Sequence, residues 1–522
     1  MRRRPLAPNR TLFTWSVFLL CAAAAHANGT PAAPSGLTPE VDAYLSKALA
    51  DWQIPGMAVA VVRPDRVVFA KGYGVRELGK PEPVDEHTVF DAASLTKSFT
   101  GTLAAILVEE GKLAWDDPVH KHLPGLRFPD AYLDEHLTVR DLLAHRTGLH
   151  PANMMWVLTD VDRAEVLRRA RCLPATAGLR ADMVYSNVGY SIAGEALAAA
   201  GGASWERLVR ERLLEPLGLR DTTASYEEAG RLANRATSHT LIDGVQRPIR
   251  RETQRHSIAA AGDVQSSAHD LARWLRLHLN GGTLDGKRLV GEEALRDIQS
   301  PQAIIATTPA MRAARQVEFF AAYGLGWQVM DYRGRPLLWH TGSGNGQIAF
   351  AALLPKDGLG VVVLVNTWAA PFVHAALVNY LLDAYLGETP RDWSAEGLAR
   401  VPGILAEERK QREKTMEGTG EGTVPARPFA AYAGTYDDCL YGPIHVRAAA
   451  GDGLELQMGG GQTADLLPAG GDVFVVRWRD PFYRETRLAR VTFEPAPDGT
   501  AARLAMDLGR DAIRAVRKST KE

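Results

Sequence analysis

A serine and a lysine stand three positions apart in the stretch DAASLTKSFT, residues 91–100. Positions i and i+3 of a helix lie on one face, so a helix here would set the Lys97 amine against the Ser94 hydroxyl. The stretch continues with apolar residues at helical spacing, namely Leu95, Phe99, Leu103, Ile106 and Leu107. This pattern predicts a helix that begins near Ser94, where the positive end of the helix dipole favours an oxyanion. Taken alone, the spacing is more often an ordinary first helical turn than an activated nucleophile.

A second segment, MVYSNVGYSIAG at 183–194, places a phenol and an amide just before a new helical pattern. The Tyr185 phenol could exchange a proton with a serine nucleophile, and the Asn187 amide could hold a substrate carbonyl. The competing interpretation is a loop tyrosine followed by a helix cap.

A third segment, His340-Thr341-Gly342-Ser343, ends a predicted strand and precedes a glycine-rich turn. A strand edge at this position could pair with an extended substrate, with the Thr341 hydroxyl and the Ser343 N–H near the reacting carbonyl. The competing interpretation is a simple turn at the end of a strand.

The composition excludes several classes of function. The chain has 522 residues, which predicts at least two domains, and it is 46% hydrophobic and 23% charged, as is typical of a globular protein. Its net charge is -1, so no basic excess indicates nucleic acid or an anionic membrane surface as a partner. We expect a small-molecule or peptide substrate. The oligomeric state stays open.

The N-terminal residues 1–27 have the order of a secretory signal peptide: a cationic start, a short apolar run and Ala25-His26-Ala27. This predicts a periplasmic or secreted protein without a stable membrane span after cleavage; an uncleaved anchor is the alternative. In an oxidising compartment Cys172 and Cys439 could pair. Neither these cysteines nor the histidines of HRTGLH (145–150) have metal-ligand spacing, so we expect no metal site.

The elements that must position these motifs suggest an α+β domain over 28–392, with an antiparallel sheet built from both ends of the domain and a helical region inserted between them. We predict a helix at 38–54, a β-hairpin at 56–74, mostly helices and loops over 115–335, strands at 336–342, 346–355 and 360–368, and a helix at 369–387. Residues 393–426 have the composition of a linker. From 427 to 522, short alternating runs predict a small all-β barrel or sandwich of about eight strands.

The three motifs, in this order, resemble the serine β-lactamase and penicillin-binding-protein superfamily. They are most similar to its class C β-lactamase, DD-carboxypeptidase and D-aminopeptidase branch, which is peptidase S12-like. LTVRDLLAHRTGLH (137–150) is also similar to that branch, and the resemblance covers roughly 38–390. The stretch AAYAGTYDDCLYG (430–442) resembles the lipocalin-like domain appended to some of its serine peptidases.

The resemblance implies a hydrolase that is acylated on Ser94, with either Lys97 or Tyr185 as the base and with no metal or organic cofactor. The oxyanion hole would be formed by the N–H groups of Ser94 and Ser343, while Asn187 and Thr341 would position the substrate.

His340 stands where the β-lactamases of this branch carry lysine. A histidine near neutral pH is only partly charged, so we expect a D-amino-acid peptidase, a carboxypeptidase or an esterase rather than an efficient β-lactamase. An inert cell-wall binding protein with the same fold is the competing hypothesis. A Ser-His-Asp hydrolase is disfavoured because Gly342-Ser343-Gly344 lacks the G-x-S-x-G spacing.

Overall fold

The computed structural model describes residues 34–249, 256–309, 319–344, 346–389, 391–420, 422–449, 453–509 and 511–518. The predicted signal peptide, 1–27, lies outside the described residues. Within the part of the chain that the structure describes, no helix has the length and apolar character needed to cross a membrane.

The N-terminal part combines helices with one large sheet. Its helices are α1 Pro39–Asp51, α2 Thr96–Glu109, α3 Val119–His122, α4 Ala131–His136, α5 Val139–Leu143, α6 Met155–Leu158, α7 Arg163–Arg169, α8 Asn187–Gly201, α9 Trp205–Val209, α10 Glu215–Leu217, α11 Tyr226–Ala229, α12 Ala259–Gly262, α13 Ala268–Leu279, α14 Glu292–Gln299 and α15 Val373–Leu386. Its strands are β1 Gly56–Val62, β2 Val67–Gly74, β3 Phe90–Asp91, β4 His239–Ile242, β5 Val245–Pro248, β6 Gln265–Ser266, β7 Thr283–Leu284, β8 Lys287–Arg288, β9 Ala303–Ile304, β10 Ala321–Tyr323, β11 Gln328–Tyr332, β12 Arg335–Gly344, β13 Gln347–Leu354 and β14 Leu359–Val365.

The large sheet has the strand order β2-β1-β14-β13-β12-β11-β10-β9, and every neighbouring pair is antiparallel. It is therefore assembled from both ends of the domain, which confirms the α+β fold predicted from the sequence. Both faces are covered: Val59 and Val61 pack in a cluster with α1 and α15, whereas Ala58 and Ala60 pack in the cluster that contains α2 and α13. Because successive side chains of a strand point to opposite faces, β1 is buried along its whole length.

Helix α2 lies in the middle of this core. The apolar spacing predicts one buried stripe, but every residue from Thr96 to Leu107 is buried. The polar members satisfy their hydroxyls internally: Thr100 donates to the Ala260 carbonyl and Thr102 donates to the Ser98 carbonyl. A helix that is buried all round is held rigidly, which suits the residues at its N-terminal end for a functional site.

Three strands of the sheet fall in the region predicted to be mostly helices and loops. These are β9, β10 and β11, which extend the sheet beyond β12. Strand β9 has only two residues, and the β10–β11 stretch, AAYGLGWQVMDY, is short and interrupted by glycines, so period-2 alternation has little length in which to appear.

The segment predicted as a linker, 393–426, contains helices α16 Trp393–Leu398 and α17 Val401–Met416. Trp52 Nε1 donates to Ser394 Oγ, so α16 packs against the N-terminal part. No described side chain of α17 is buried, in keeping with its Glu, Lys, Arg and Gln residues, which favour exposed helices. That 393–426 separates two domains stays a prediction.

The C-terminal part is a closed antiparallel barrel, so of the two predicted architectures the barrel is the one that forms. Its strands are β15 Gly434–Asp438, β16 Gly442–Ala448, β17 Leu454–Met458, β18 Thr463–Pro468, β19 Val473–Trp478, β20 Ala489–Pro495, β21 Ala501–Leu508 and β22 Asp511–Arg517, with the short helices α18 Phe429–Tyr432 and α19 Pro481–Thr486 beside them. Pairing of β22 with β15 closes the barrel. A disulfide between Cys172 and Cys439 joins it to the N-terminal part, so the two cysteines that the sequence left open do pair.

Candidate active site

The turn before α2 presents Ser94. Ala93 has φ +43°, a left-handed conformation that residues with a Cβ rarely adopt. It is held there because the Ala93 N–H donates to Asp91 Oδ1 at 2.9 Å. Ser94 follows in a short 3-10 turn, Ala93–Leu95, that leads directly into α2. The candidate nucleophile thus sits where the sequence predicts it, on a strained and well-supported turn.

Strand β12 crosses this turn at very short range. A Cβ built on Gly342 would come within 1.8 Å of the Ala92 carbonyl oxygen. Only glycine allows the two backbones to approach this closely. The close approach brings Thr341 and Ser343, the neighbours of Gly342, to the same edge of the site as Ser94.

Lys97 is buried and makes three polar contacts. Its Nζ lies 3.1 Å from Ser94 Oγ, 2.8 Å from Asn187 Oδ1 and 2.9 Å from the Ala261 carbonyl oxygen. Burial lowers the pKa of Lys97 well below its usual value, because none of the carboxylates that the structure describes contacts it to repay the lost hydration. A neutral amine has two hydrogens and one lone pair. Donation to Asn187 and Ala261 leaves that lone pair directed at the Ser94 hydroxyl.

Tyr185 lies beside this pair. Lys97 Nζ is 4.8 Å from the centre of the Tyr185 ring, and the phenol interacts with the Ser94 hydroxyl. Burial raises the pKa of Tyr185, and the Ser94 hydroxyl only partly opposes the rise. The phenol is therefore protonated at neutral pH and is a proton donor in its resting state.

His145 holds the backbone on both sides of Tyr185. The Val184 N–H donates to the His145 carbonyl at 2.7 Å, and the Ser186 N–H donates to His145 Nδ1 at 3.1 Å. Its ring also contacts the Tyr185 ring, with centroids 4.3 Å apart. The sequence analysis considered His145 only as a metal ligand, so its support of Tyr185 was missed.

Asn187 begins α8, after the N-cap Ser186. Its side chain has two different neighbours, since Oδ1 accepts from Lys97 and Nδ2 donates to Asn153 Oδ1 at 3.3 Å. Asn153 was not singled out from the sequence because it lies in a loop without a recognisable motif.

His340 lies on β12, but it is not the partly charged residue expected from the sequence. It is 1% exposed, and its Nε2 lies 2.9 Å from the hydroxyl of Tyr323, a residue that the sequence analysis missed. Burial, reinforced by the nearby Lys97, lowers the pKa of His340 to about 3, so its ring is neutral at physiological pH. The His340 ring centre is 6.4 Å from that of Tyr185.

One group of side chains has the composition of a cation site. Among the described residues, His87, Asp221 and His269 bring their ligand atoms within 4.8 Å of one another. His87 Nδ1 lies 2.8 Å from Asp221 Oδ2, so an ordinary ion pair accounts for part of this arrangement. The three residues are far apart in the sequence, where spacing could not reveal them.

Comparison with known proteins agrees with this geometry. A family model described as Beta-lactamase matches residues 41–385, well over half of the chain. The chain belongs to the beta-lactamase family. The resemblance stated from the sequence is thereby confirmed. A second model, described as a domain of unknown function (DUF3471), matches residues 419–517 of this beta-lactamase-family protein.

Characterised relatives are hydrolases and a penicillin-binding protein. The chain is 29% identical over 436 residues to "Unguisins hydrolase ungD" of Aspergillus violaceofuscus, covering 78% of this chain and 76% of that protein. It is 29% identical over 343 residues to "Penicillin-binding protein 4" of Amycolatopsis lactamdurans (64% and 86%). It is 28% identical over 369 residues to the Escherichia coli K12 "D-alanyl-D-alanine-carboxypeptidase/endopeptidase AmpH" (67% and 89%). This beta-lactamase-family protein is accordingly an enzyme, a serine hydrolase of the β-lactamase-related type.

Solved structures match the fold over both parts of the chain. The octameric penicillin-binding protein homologue from Pyrococcus abyssi aligns with a TM-score of 0.60 at 21% identity, covering 92% of this chain and 99% of that one. At this identity the likeness speaks for the fold, including the presence of a C-terminal barrel.

Proposed function

We propose that this protein is a secreted hydrolase that cleaves amide or ester bonds of D-amino-acid peptides or related small substrates through an acyl-enzyme on Ser94. The observation that carries the proposal is the Lys97 contact set: Ser94 Oγ at 3.1 Å and two other acceptors that use the hydrogens of a neutral amine. A serine hydroxyl needs a base within hydrogen-bond reach to act as a nucleophile, and the buried amine provides it.

The geometry favours Lys97 over Tyr185 as the acylation base. Burial lowers the pKa of Lys97, which favours its neutral, proton-accepting form, whereas burial raises the pKa of Tyr185, which keeps its proton. In the proposed step Ser94 Oγ bonds to the substrate carbonyl carbon, and its proton passes to Lys97 Nζ. Tyr185 donates a proton to the leaving amine or alkoxide as the scissile bond breaks, and is reprotonated from Lys97. Water then hydrolyses the ester on Ser94.

The remaining candidate residues would bind and stabilise the reacting group. The N–H groups of Ser94 and Ser343 would form the oxyanion hole, where one donor is typically worth about 3–4 kcal/mol in the transition state. Thr341 and Asn187 would position the substrate. Because His340 is neutral and buried, it would act by holding this edge of the site and not by attracting a substrate carboxylate as a cation.

The substrate class rests on two supports. The relatives include a D-alanyl-D-alanine carboxypeptidase/endopeptidase and a penicillin-binding protein. The neutral His340 removes the cation that the β-lactamases of the similar branch use, which favours peptides and esters over β-lactams. Secretion is supported by the pairing of Cys172 with Cys439, since disulfides persist in oxidising compartments.

The test is hydrolysis of a p-nitrophenyl ester by the mature protein and by Ser94→Ala, Lys97→Ala and Tyr185→Phe. We expect Ser94→Ala to show no hydrolysis. Lys97→Ala and Tyr185→Phe should each lose at least about a hundredfold in turnover. Ser98→Ala is the matched control, because it removes a buried hydroxyl one turn further along α2 that bonds to Leu95 and Trp274 instead of Lys97.

Intact-mass spectrometry with a slowly hydrolysed β-lactam should show an adduct on the peptide that contains Ser94. Equal hydrolysis in wild type and Ser94→Ala would refute the assignment of the nucleophile. Binding of cell-wall peptide without any product from peptides or esters would instead favour an inert binding protein. A panel of D-amino-acid peptides, esters and β-lactams, ranked by kcat/KM, then identifies the substrate class.

A further inference from the structure

The barrel contributes one buried carboxylate to its contact with the N-terminal part. Asp511, the first residue of β22, is 4% exposed. The Tyr441 hydroxyl donates to Asp511 Oδ1 at 3.0 Å. The backbone N–H groups of Asn153 and Met154 also face this carboxylate and favour its charged form. A buried carboxylate is costly without such partners, so these contacts hold the barrel and the 150–154 loop together.

The 150–154 loop needs support because its backbone is strained. Ala152 has φ +45°, and its N–H donates to His150 Nδ1 at 3.1 Å. The His150 N–H in turn donates to the Pro174 carbonyl. A residue with a Cβ keeps a left-handed conformation only where its surroundings hold it there.

This loop contacts the candidate active site through one side chain. Asn153 Oδ1 accepts from Asn187 Nδ2 at 3.3 Å, and Asn187 Oδ1 accepts from Lys97 at 2.8 Å. The contact with Asn153 decides which end of the Asn187 amide faces Lys97. If the Asn187 amide rotated by 180°, its NH2 group would face Lys97 Nζ. The Nζ lone pair would then accept from Asn187 instead of from the Ser94 hydroxyl.

Three further contacts fix the barrel at this place. The Cys172–Cys439 disulfide lies two residues from Tyr441, and Arg169 donates to the Leu440 carbonyl at 2.6 Å. At the other end of α6, the Gly460 N–H of the barrel donates to the Leu158 carbonyl at 3.2 Å. The barrel therefore contacts α6 and its preceding loop from both ends.

We propose that Asp511 is a positioning residue for catalysis, through which the C-terminal barrel holds the 150–154 loop and thereby orients Asn153, Asn187 and Lys97. This inference rests on the proposed function of the Ser94 site. It gives the region that matches a domain of unknown function a role in assembling the site, although Asp511 lies 414 positions after Lys97 in the sequence.

The test compares Asp511→Asn with a matched control in the full-length protein. Asparagine keeps an oxygen for the Tyr441 hydroxyl but turns an N–H toward the donors of Asn153 and Met154. The control is Asp472→Asn, since Asp472 also accepts from a buried tyrosine of the barrel, Tyr432, at 2.7 Å. Asp472 bonds within the barrel and the segment before it, to Arg427 and Tyr432.

Two measurements are made on each variant. Hydrogen–deuterium exchange over 150–158 should be faster in Asp511→Asn and unchanged in Asp472→Asn. Hydrolysis of the p-nitrophenyl ester, normalised to titrated active sites, should show kcat lowered about tenfold in Asp511→Asn with KM within about twofold, because small displacements of a supporting group reduce kcat strongly.

A double-mutant cycle separates positioning from general destabilisation. Asn153→Ala should lower kcat to a similar extent, and adding Asp511→Asn to it should lower kcat no further, because both act through the same contact. Additive losses would overturn the inference, as would unchanged exchange or unchanged kcat in Asp511→Asn. If the wild-type protein shows no Ser94-dependent hydrolysis, the proposed function fails, and the exchange comparison still decides whether Asp511 holds the loop.

Discussion

Lys97 Nζ lies 2.8 Å from Asn187 Oδ1, so the side chain nearest to the buried amine is a neutral amide and not a carboxylate. An amide at position 187 matters because a carboxylate there would stabilise the ammonium form of Lys97 and raise its pKa. The lowered pKa of Lys97 depends on the absence of such a charge among the described residues that contact it.

The first prediction concerns Asn187→Asp. The base acts when Lys97 is neutral, so the rate rises as pH increases through the pKa of Lys97. A carboxylate at 187 should raise that pKa, and the acid limb of kcat/KM should move upward by about one pH unit or more. The measurement is the pH profile of ester hydrolysis. Asn187→Ala, which adds no charge, should show no upward shift. An acid limb at the same pH in Asn187→Asp and wild type would argue against Lys97 as the base.

The second prediction concerns His340. Because its pKa is lowered to about 3, the ring stays neutral from about pH 5 to 8. The ratio of kcat/KM for a peptide with a free carboxylate to that for its amide should therefore be constant over this range. A histidine that titrated near its ordinary pKa would instead make the preference for the carboxylate fall as pH rises. His340→Gln serves as a reference that cannot titrate.

The third prediction concerns the packing of β12 on the turn before Ser94. Gly342→Ala should force the strand away from Ala92, with a loss of about 1–3 kcal/mol in the free energy of unfolding and a fall in kcat. Urea unfolding and ester hydrolysis measure the two effects. Gly125→Ala is the control, because a Cβ there meets nothing within 4 Å. Equal stability of the two variants would show that the close approach is not required.

The fourth prediction concerns the disulfide. Cys172 and Cys439 are separated by 267 residues, and their Cα atoms are 5.8 Å apart. Replacing both with serine should lower the free energy of unfolding by about 2–4 kcal/mol, since the cross-link restricts the unfolded chain. Thermal unfolding with and without a reductant measures this. Reduced wild type should resemble the double variant, and a melting temperature that no reductant changes would contradict the prediction.

Much of the fold could be predicted because local spacing encodes it. The hairpin formed by β1 and β2, the start of α2 near Ser94 and the short strands of the barrel all follow from apolar periodicity and turn residues. Strands β9, β10 and β11 were not predicted, because they are too short for period-2 alternation to stand out in the sequence.

By itself, the sequence determined which chemical groups are present and in what order: the Ser94–Lys97 pair, Tyr185 with Asn187, and the His340–Ser343 strand. Only the tertiary structure decided their states. Burial lowers the pKa values of Lys97 and His340, and Asn187 Nδ2 donates to Asn153, which lies beside it. Burial and contacts between distant residues arise when the chain packs, and no local spacing records them. The contact of Asp511 with the 150–154 loop spans the largest sequence separation of these contacts, since it joins the barrel to the loop beside the candidate active site.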